Sequence, residues 1–247
     1  MRALFAGGGD PPHFRDIPEP TIDSAVAAIV EPIAVAICDL DVAYIANLLP
    51  TEDPYAVGHE FTAASISDNV VDGYSAVASH ILPGDTVIVF GSASVGLYAV
   101  GAAEALGAPC TYVNDDFARL AVAETLGAHV IDHTPDGRTF GEFPVAIACI
   151  STPEGLVSAV RSTEPGGRCH SGGIQFFGAD LPWVELYKRG ITLSTGRPRA
   201  RDEMPTVISL VERGVYRISE VCATVVPFDD APEALSGALP HKTVLAM

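Results

Sequence analysis

No two of the five cysteines (38, 110, 149, 169 and 222) form a Cys-x-x-Cys pair, and their number is odd. That pattern excludes a disulfide framework and reads as the reduced thiols of a cytoplasmic protein. Basic residues are scarce as well: 14 Lys and Arg stand against 31 Asp and Glu, a net charge of −17. Nucleic acid and anionic membrane surfaces are thereby excluded as partners. No apolar stretch approaches the roughly 18 consecutive residues of a spanning helix. The opening MRALFAGGGDPP also lacks the long apolar core of a secretory signal.

What the chain has is length and small apolar residues. Its 247 residues are enough to bury roughly 70–75% of the unfolded surface without covalent staples. Ala and Val dominate the apolar content, as buried parallel strands flanked by helices require. The pattern changes near residue 68. Before it, Pro, Gly and acidic residues interrupt short apolar runs; after it, strands and helices alternate. The stretch DNVVDGYSAVASHI predicts a helix with Asp68 or Asn69 at its start, and TVIVFG predicts a buried strand. CTYVN, VID, VAIACI, GRCHSGGI and ITLSTG predict further strands. Helices are expected around 117–126, capped by Asp115 or Asp116, after Thr152-Pro153, and over 202–213. This alternation is the signature of an α/β, doubly wound parallel sheet of the Rossmann type.

Gly91-x-Ala93-x-x-Gly96 lies between a predicted strand and a predicted helix. Gly91 permits the tight turn, Gly96 lets the helix pack on the sheet, and backbone N–H groups around Ser94 to Gly96 face a pyrophosphate. Ala93 places a methyl where many such loops have glycine. At the end of the next strand, Asn114 and then Asp115 stand where a side chain reaches the adenosine ribose. Carboxylates there repel a 2′-phosphate, so NAD is expected rather than NADP. The expected cofactor contacts are Gly91, Ser92, Ala93, Ser94, Val95, Gly96, Asn114, Asp115, Arg119 and Ser151. The plainer reading of Asn114 and Asp115 is a cap for the following helix.

Several motifs in sequence order resemble the zinc-containing alcohol dehydrogenases of the medium-chain dehydrogenase/reductase superfamily. They are AICDLD (36–41), VGHEF (57–61), SDNVVDGYSAV, LPGDTVIVFGSASVGL, RLAVAETLGAHVID, EPGGRCHSGG and the final KTVLAM. The resemblance implies a GroES-like, β-rich small domain at 1–67, a Rossmann NAD-binding domain at 68–220, and a segment at 221–247 returning to the small domain. It also implies a catalytic zinc. Cys38 matches the first ligand, His59 the second, Glu60 the neighbouring carboxylate that binds or exchanges, and Asp68 the third ligand. Asp41 matches the carboxylate that supports the histidine, and Lys242 a basic residue near the pyrophosphate.

Two departures stand out. Only Phe61 to Ser67 separates the GHE motif from Asp68, where relatives carry several barrel strands, so the small domain is expected to be truncated. Leu40 occupies the position of a proton-relaying Ser or Thr.

Taken singly, Cys38 reads as core packing, His59-Glu60 as a loop pair and Asp68 as a helix cap. Taken together, they offer the S, N and O donors that zinc accepts, with one position left for water or substrate. The seven residues between Glu60 and Asp68 extend to roughly 25 Å, so the short link is no obstacle. The expected function is a zinc-assisted, NAD-dependent oxidoreductase interconverting an alcohol and an aldehyde or ketone. The alternatives are a metal-free double-bond reductase and a cofactor-binding protein without redox turnover. A small-molecule substrate is expected, as is a homodimer formed through the last sheet strand, GITLSTG (190–196). His80, His129, His133, His170 and His241 read as solvated or helix-end residues. Trp183 and Tyr187, at helical spacing, read as packing at an interface, with lining of the substrate cleft as the alternative.

Overall fold

The computed structural model describes the chain except residues 28, 30, 49–50, 59–65, 93, 177 and 238–241, with backbone alone at 39, 67, 222 and 223. The chain forms two compact units, one of Met1–Ser65 with Cys222–Met247 and one of Ile66–Val221.

The first unit begins with β1 (Arg2–Gly7) and β2 (Asp10–Asp16), an antiparallel hairpin. After β3 (Ala34–Ala36) and the short helix α1 (Asp39–Ile45), β4 (Tyr55–Ala56) pairs with the other edge of β1.

The second unit opens with a wide helical turn at Ile66–Val70 and continues into α2 (Val71–Ala78). Then strands and helices alternate: β5 (Val87–Gly91), α3 (Ser94–Ala105), β6 (Cys110–Asn114), α4 (Phe117–Leu126) and β7 (His129–Asp132). The second half runs β8 (Phe143–Cys149), α5 (Pro153–Ser162), β9 (Thr163–Ser171), α6 (Trp183–Arg189), β10 (Thr192–Thr195) and α7 (Ala200–Glu212). The chain then returns to the first unit with β11 (Cys222–Pro227), α8 (Ala231–Leu235) and β12 (Lys242–Ala246). β12 lies between β11 and β3 in a second three-stranded sheet. Leu4, Ile37, Val57, Leu235 and Leu245 share the core of this unit.

The six strands of the second unit are all parallel and run in the order β10-β9-β8-β5-β6-β7. Counted from β5, this is the doubly wound order, and it reverses between β5 and β8. Burial on both faces explains the near-continuous apolar strands. Val87 and Val89 pack on one side with α2, α3, α4 and α7, whereas Ile88 and Phe90 pack on the other with α5 and α6. Caps fix the helix starts. Asp116 accepts from the N–H groups of Ala118 and Arg119, and Thr152 accepts from Gly155 N ahead of Pro153. The Tyr216 hydroxyl, fully buried, donates to Tyr98 O at 2.9 Å and Val70 O at 3.2 Å, tying α3 to the entrance of α2.

The entrance of α2 differs from the sequence expectation. The residue preceding the regular helix is Val70, with no side-chain cap, and Asp68 has a non-helical backbone inside the wider turn. The Asn69 side chain reaches α3, as described below. In α6, Trp183 is 66% and Tyr187 88% exposed within this chain, and Leu186 is the residue that α6 buries.

Candidate dinucleotide site and metal-ligand residues

The β5–α3 turn lies where the strand order reverses. Gly91 faces Cys149 across the β5–β8 ladder, and Ser92 N donates to Cys149 O at 3.2 Å. Gly91 and Gly96 are nearly in contact. A Cβ on Gly91 would stand 2.9 Å from Gly96 Cα, and one on Gly96 only 2.7 Å from Gly91 Cα. Both distances are shorter than a carbon–carbon contact allows, so glycine is required at each position. The close approach seats the first turn of α3 directly on the strand end.

Buried polar groups hold this turn. Gly91 O accepts from the Tyr112 hydroxyl at 3.0 Å and also from Asn114 Nδ2. Asn114 Oδ1 accepts from Asp116 N at 2.8 Å. Burial pushes the Tyr112 hydroxyl well above its ordinary range, so it remains a donor. Asn114 is 4% exposed, its amide engaged by the turn on one side and the α4 cap on the other. Asp115 is the exposed carboxylate at this strand end and accepts from the Thr134 hydroxyl at 2.6 Å. Arg119 lies one helical turn on, 3.8 Å from Asp116. Ser151 is exposed on the β8–α5 loop. Val95 packs against the core, and Ala93 lies outside the described residues. Sequence reasoning missed one contact here: Asn69 Nδ2 donates to Ser94 Oγ at 2.9 Å, and both residues are buried.

Of the residues expected to hold metal, Cys38 and Asp68 are described; His59 and Glu60 lie outside the described residues. Cys38 belongs to the first unit and Asp68 to the second. Cys38 is 3% exposed and forms a reciprocal cap with Asp41: its sulfur accepts from Asp41 N at 3.4 Å, and Asp41 Oδ2 accepts from Cys38 N at 3.0 Å. Asp41 Oδ1 accepts from the Tyr55 hydroxyl at 3.3 Å and from Gly58 N at 3.4 Å. The fully buried Asp41 thus ties the residue preceding His59 to the segment that carries Cys38. Burial, then the Asp41 carboxylate, pushes the Tyr55 hydroxyl far above its ordinary range and keeps it a donor. Among the described residues, no three His, Cys, Asp or Glu side chains gather into a metal-holding group. The donor set of Cys38, His59, Glu60 and Asp68 nevertheless suits zinc in kind, with thiolate, imidazole and carboxylate. Lys242 is 2% exposed at the start of β12.

The structure also brings together two histidines that the sequence reading left as isolated element ends. His80 Nδ1 meets Ala76 O at 2.8 Å, which fixes its hydrogen there and makes Nε2 the acceptor from the Ser194 hydroxyl at 2.9 Å. His170 Nδ1 lies 3.0 Å from the same oxygen, and the two ring centres are 4.6 Å apart. Burial, then the neighbouring His80, pushes His170 down to about 4. Burial also lowers His80.

A parallel sheet in this order, with a glycine-bound turn at its switch point, defines a doubly wound, Rossmann-type α/β unit. Known proteins agree. Residues 94–213 match the family described as zinc-binding dehydrogenase. The chain is 29% identical over 200 residues to (R,R)-butanediol dehydrogenase of Bacillus subtilis, covering 77% of this chain and 56% of that protein. It is 27% identical over 181 residues to D-arabitol-phosphate dehydrogenase of Enterococcus avium, covering 68% and 51%. The matches span about half the length of these curated relatives. In fold it is similar to the alcohol dehydrogenase TADH from Thermus sp. ATN1, with a TM-score of 0.88 at 18% identity over 100% of both chains. The chain is thus similar to zinc-binding dehydrogenases over residues 94–213 and shares the fold of a solved alcohol dehydrogenase. Among the described residues, no helix is long and apolar enough to cross a membrane.

Proposed function

We propose that the protein is an NAD-dependent, zinc-assisted oxidoreductase interconverting a small alcohol and its aldehyde or ketone. The observation that carries this reading is the Gly91–Gly96 contact at the switch point of the sheet, in a chain whose residues 94–213 match zinc-binding dehydrogenases. The named activities of its relatives, on butanediol and arabitol phosphate, favour a hydroxyl-bearing substrate.

In this reading the α3 start binds the pyrophosphate, and Asp115, the exposed carboxylate at the end of β6, contacts the adenosine ribose and disfavours a 2′-phosphate. Lys242 serves as a basic residue near the pyrophosphate. Cys38, His59, Glu60 and Asp68 would hold zinc, whose chemistry there would be to polarise the substrate oxygen, and a bound nicotinamide would be the hydride carrier. Asp41 orients the loop carrying His59 through Gly58 N. Leu40 has no proton to exchange, so the alcohol proton would leave by water or by an acidic side chain such as Asp39 or Asp41. Chain organisation follows the same reading: the unit of Ile66–Val221 is the cofactor domain, and the other unit is a reduced catalytic domain. The protein is expected in the cytoplasm as a homodimer paired through β10.

The test is metal analysis of chelator-free protein together with NADH oxidation across a panel of aldehydes and ketones. About one zinc per chain, lost in His59→Ala, with carbonyl-dependent turnover is the expected result. Leu40 favours a second reading, a cofactor-binding protein without turnover. NADH binding with no oxidation across the panel selects it, and turnover with enones in metal-free protein selects a double-bond reductase.

A further inference from the structure

Gln175, in the chain that follows β9, carries a buried acceptor that the protein leaves unanswered. After β9 the chain folds back over the end of β8. The N–H groups of Gly172 and Gly173 both donate to Ala148 O, at 3.0 and 2.9 Å. A Cβ on Gly173 would lie 2.4 Å from Ile150 O, so only glycine permits this approach. It sets Gln175 Nε2 at 2.7 Å from Ile150 O, to which it donates. Because that partner is a carbonyl, the orientation of the amide is fixed: nitrogen faces Ile150, and Oε1 is the remaining end. Oε1 is buried and has no hydrogen-bond partner.

A buried acceptor without a donor is costly, and native structures keep few of them. Ile150 directly follows Cys149, the residue facing Gly91 across the β5–β8 ladder. The orphan oxygen therefore belongs to the β8 side of the switch point, whereas the adenosine half is held at the end of β6, on the other side of β5. The nicotinamide half carries suitable donors, the N–H groups of its carboxamide and the hydroxyls of its ribose. We infer that Gln175 is a binding residue for the nicotinamide half of the dinucleotide, with Oε1 accepting one of these N–H or O–H groups. This rests on the dinucleotide reading above.

The experiment titrates wild type and Gln175→Leu with NADH, with reduced acetylpyridine adenine dinucleotide, whose methyl replaces the amide nitrogen, and with ADP-ribose. Gln175→Leu should weaken NADH about 3- to 10-fold, the worth of one hydrogen bond. If the analogue and ADP-ribose bind the variant as they bind wild type, the donor is the carboxamide. Equal losses for all three ligands assign the donor to the ribose. Unchanged NADH affinity in a folded Gln175→Leu protein overturns the inference while the dinucleotide reading stands. Failure of wild type to bind NADH and ADP-ribose removes the dinucleotide reading and the inference with it. Should Gln175→Leu not fold, Gln175→Asn, which withdraws the acceptor by one methylene, is read against the same outcomes.

Discussion

Asn69 donates to Ser94 Oγ at 2.9 Å, joining the residue after Asp68 to the first residue of α3. The wide turn that precedes α2 and the start of the cofactor helix are thereby held in one arrangement. Asn69→Ala removes this donor in a buried setting, and a loss of about 1–2 kcal/mol of stability is expected. Dinucleotide affinity should fall as well, because Ser94 sets the first turn of α3. A double-mutant cycle with Ser94→Ala checks the connection: the paired variant should be little worse than either single one. Strict additivity would show the two residues acting separately.

Gly96 and Tyr112 fix the same turn by different means, so their variants should differ in size. Gly96→Ala drives a methyl to within 2.7 Å of Gly91 Cα, a backbone atom that cannot rotate away. α3 must then lift from β5, with an expected cost of about 1–3 kcal/mol and a large loss of NADH affinity. Tyr112→Phe keeps the buried ring and deletes only the donor to Gly91 O, where Asn114 Nδ2 still donates. About 1 kcal/mol is expected, with NADH binding largely kept. Chemical denaturation and NADH titration of the two proteins, side by side, would reverse this ordering only if the turn were held by something other than the glycine contact.

The sheet is legible because its information is local. Strands such as Val87–Gly91 and Phe143–Cys149 are buried on both faces, and Asp116, Thr152 and Pro153 mark helix starts by short-range hydrogen bonding and fixed dihedrals. What the sequence hid depends on residues far apart in the chain. Asn69 looks like a helix cap until α3 is placed beside it. His80, His170 and Ser194 meet only because the turn after α2 lies beside β9 and β10 in the fold. Gln175 gains its meaning from the Gly173 approach to Ile150.

The His80–His170 pair makes stability fall in mild acid. In the folded chain His170 is held down at about 4, by burial first and His80 second, whereas an unfolded histidine titrates near about 6.5. Between those values the unfolded chain binds more protons, so unfolding becomes easier as pH drops from about 6.5 toward 4. His80, also lowered, adds in the same direction. Because the pair is only partly buried, about 1–2 kcal/mol in total is a fair expectation. His170→Gln should flatten the melting temperature across this interval. A profile as steep as that of wild type would assign the acid sensitivity elsewhere.

The proposed dimer has a charge problem that predicts its salt dependence. β10 ends the six-stranded sheet, and its flanks carry Lys188, Arg189, Arg197, Arg199 and Arg201 with no acidic residue between 188 and 201. Arg189 is engaged by Glu142, and Arg199 sits 3.9 Å from Asp202 while remaining 88% exposed. Two-fold pairing of β10 with a second copy sets this basic segment against itself, since a two-fold interface repeats one patch on both sides. Exposed like charges repel over about 10 Å at moderate ionic strength and far less when salt is raised. Association through β10 should therefore strengthen with added salt, opposite to an interface held by ion pairs. Sedimentation at low and high salt measures this, and Arg199→Ser should raise the low-salt association. A dimer that falls apart as salt rises would place the contact on a different, charge-complementary face.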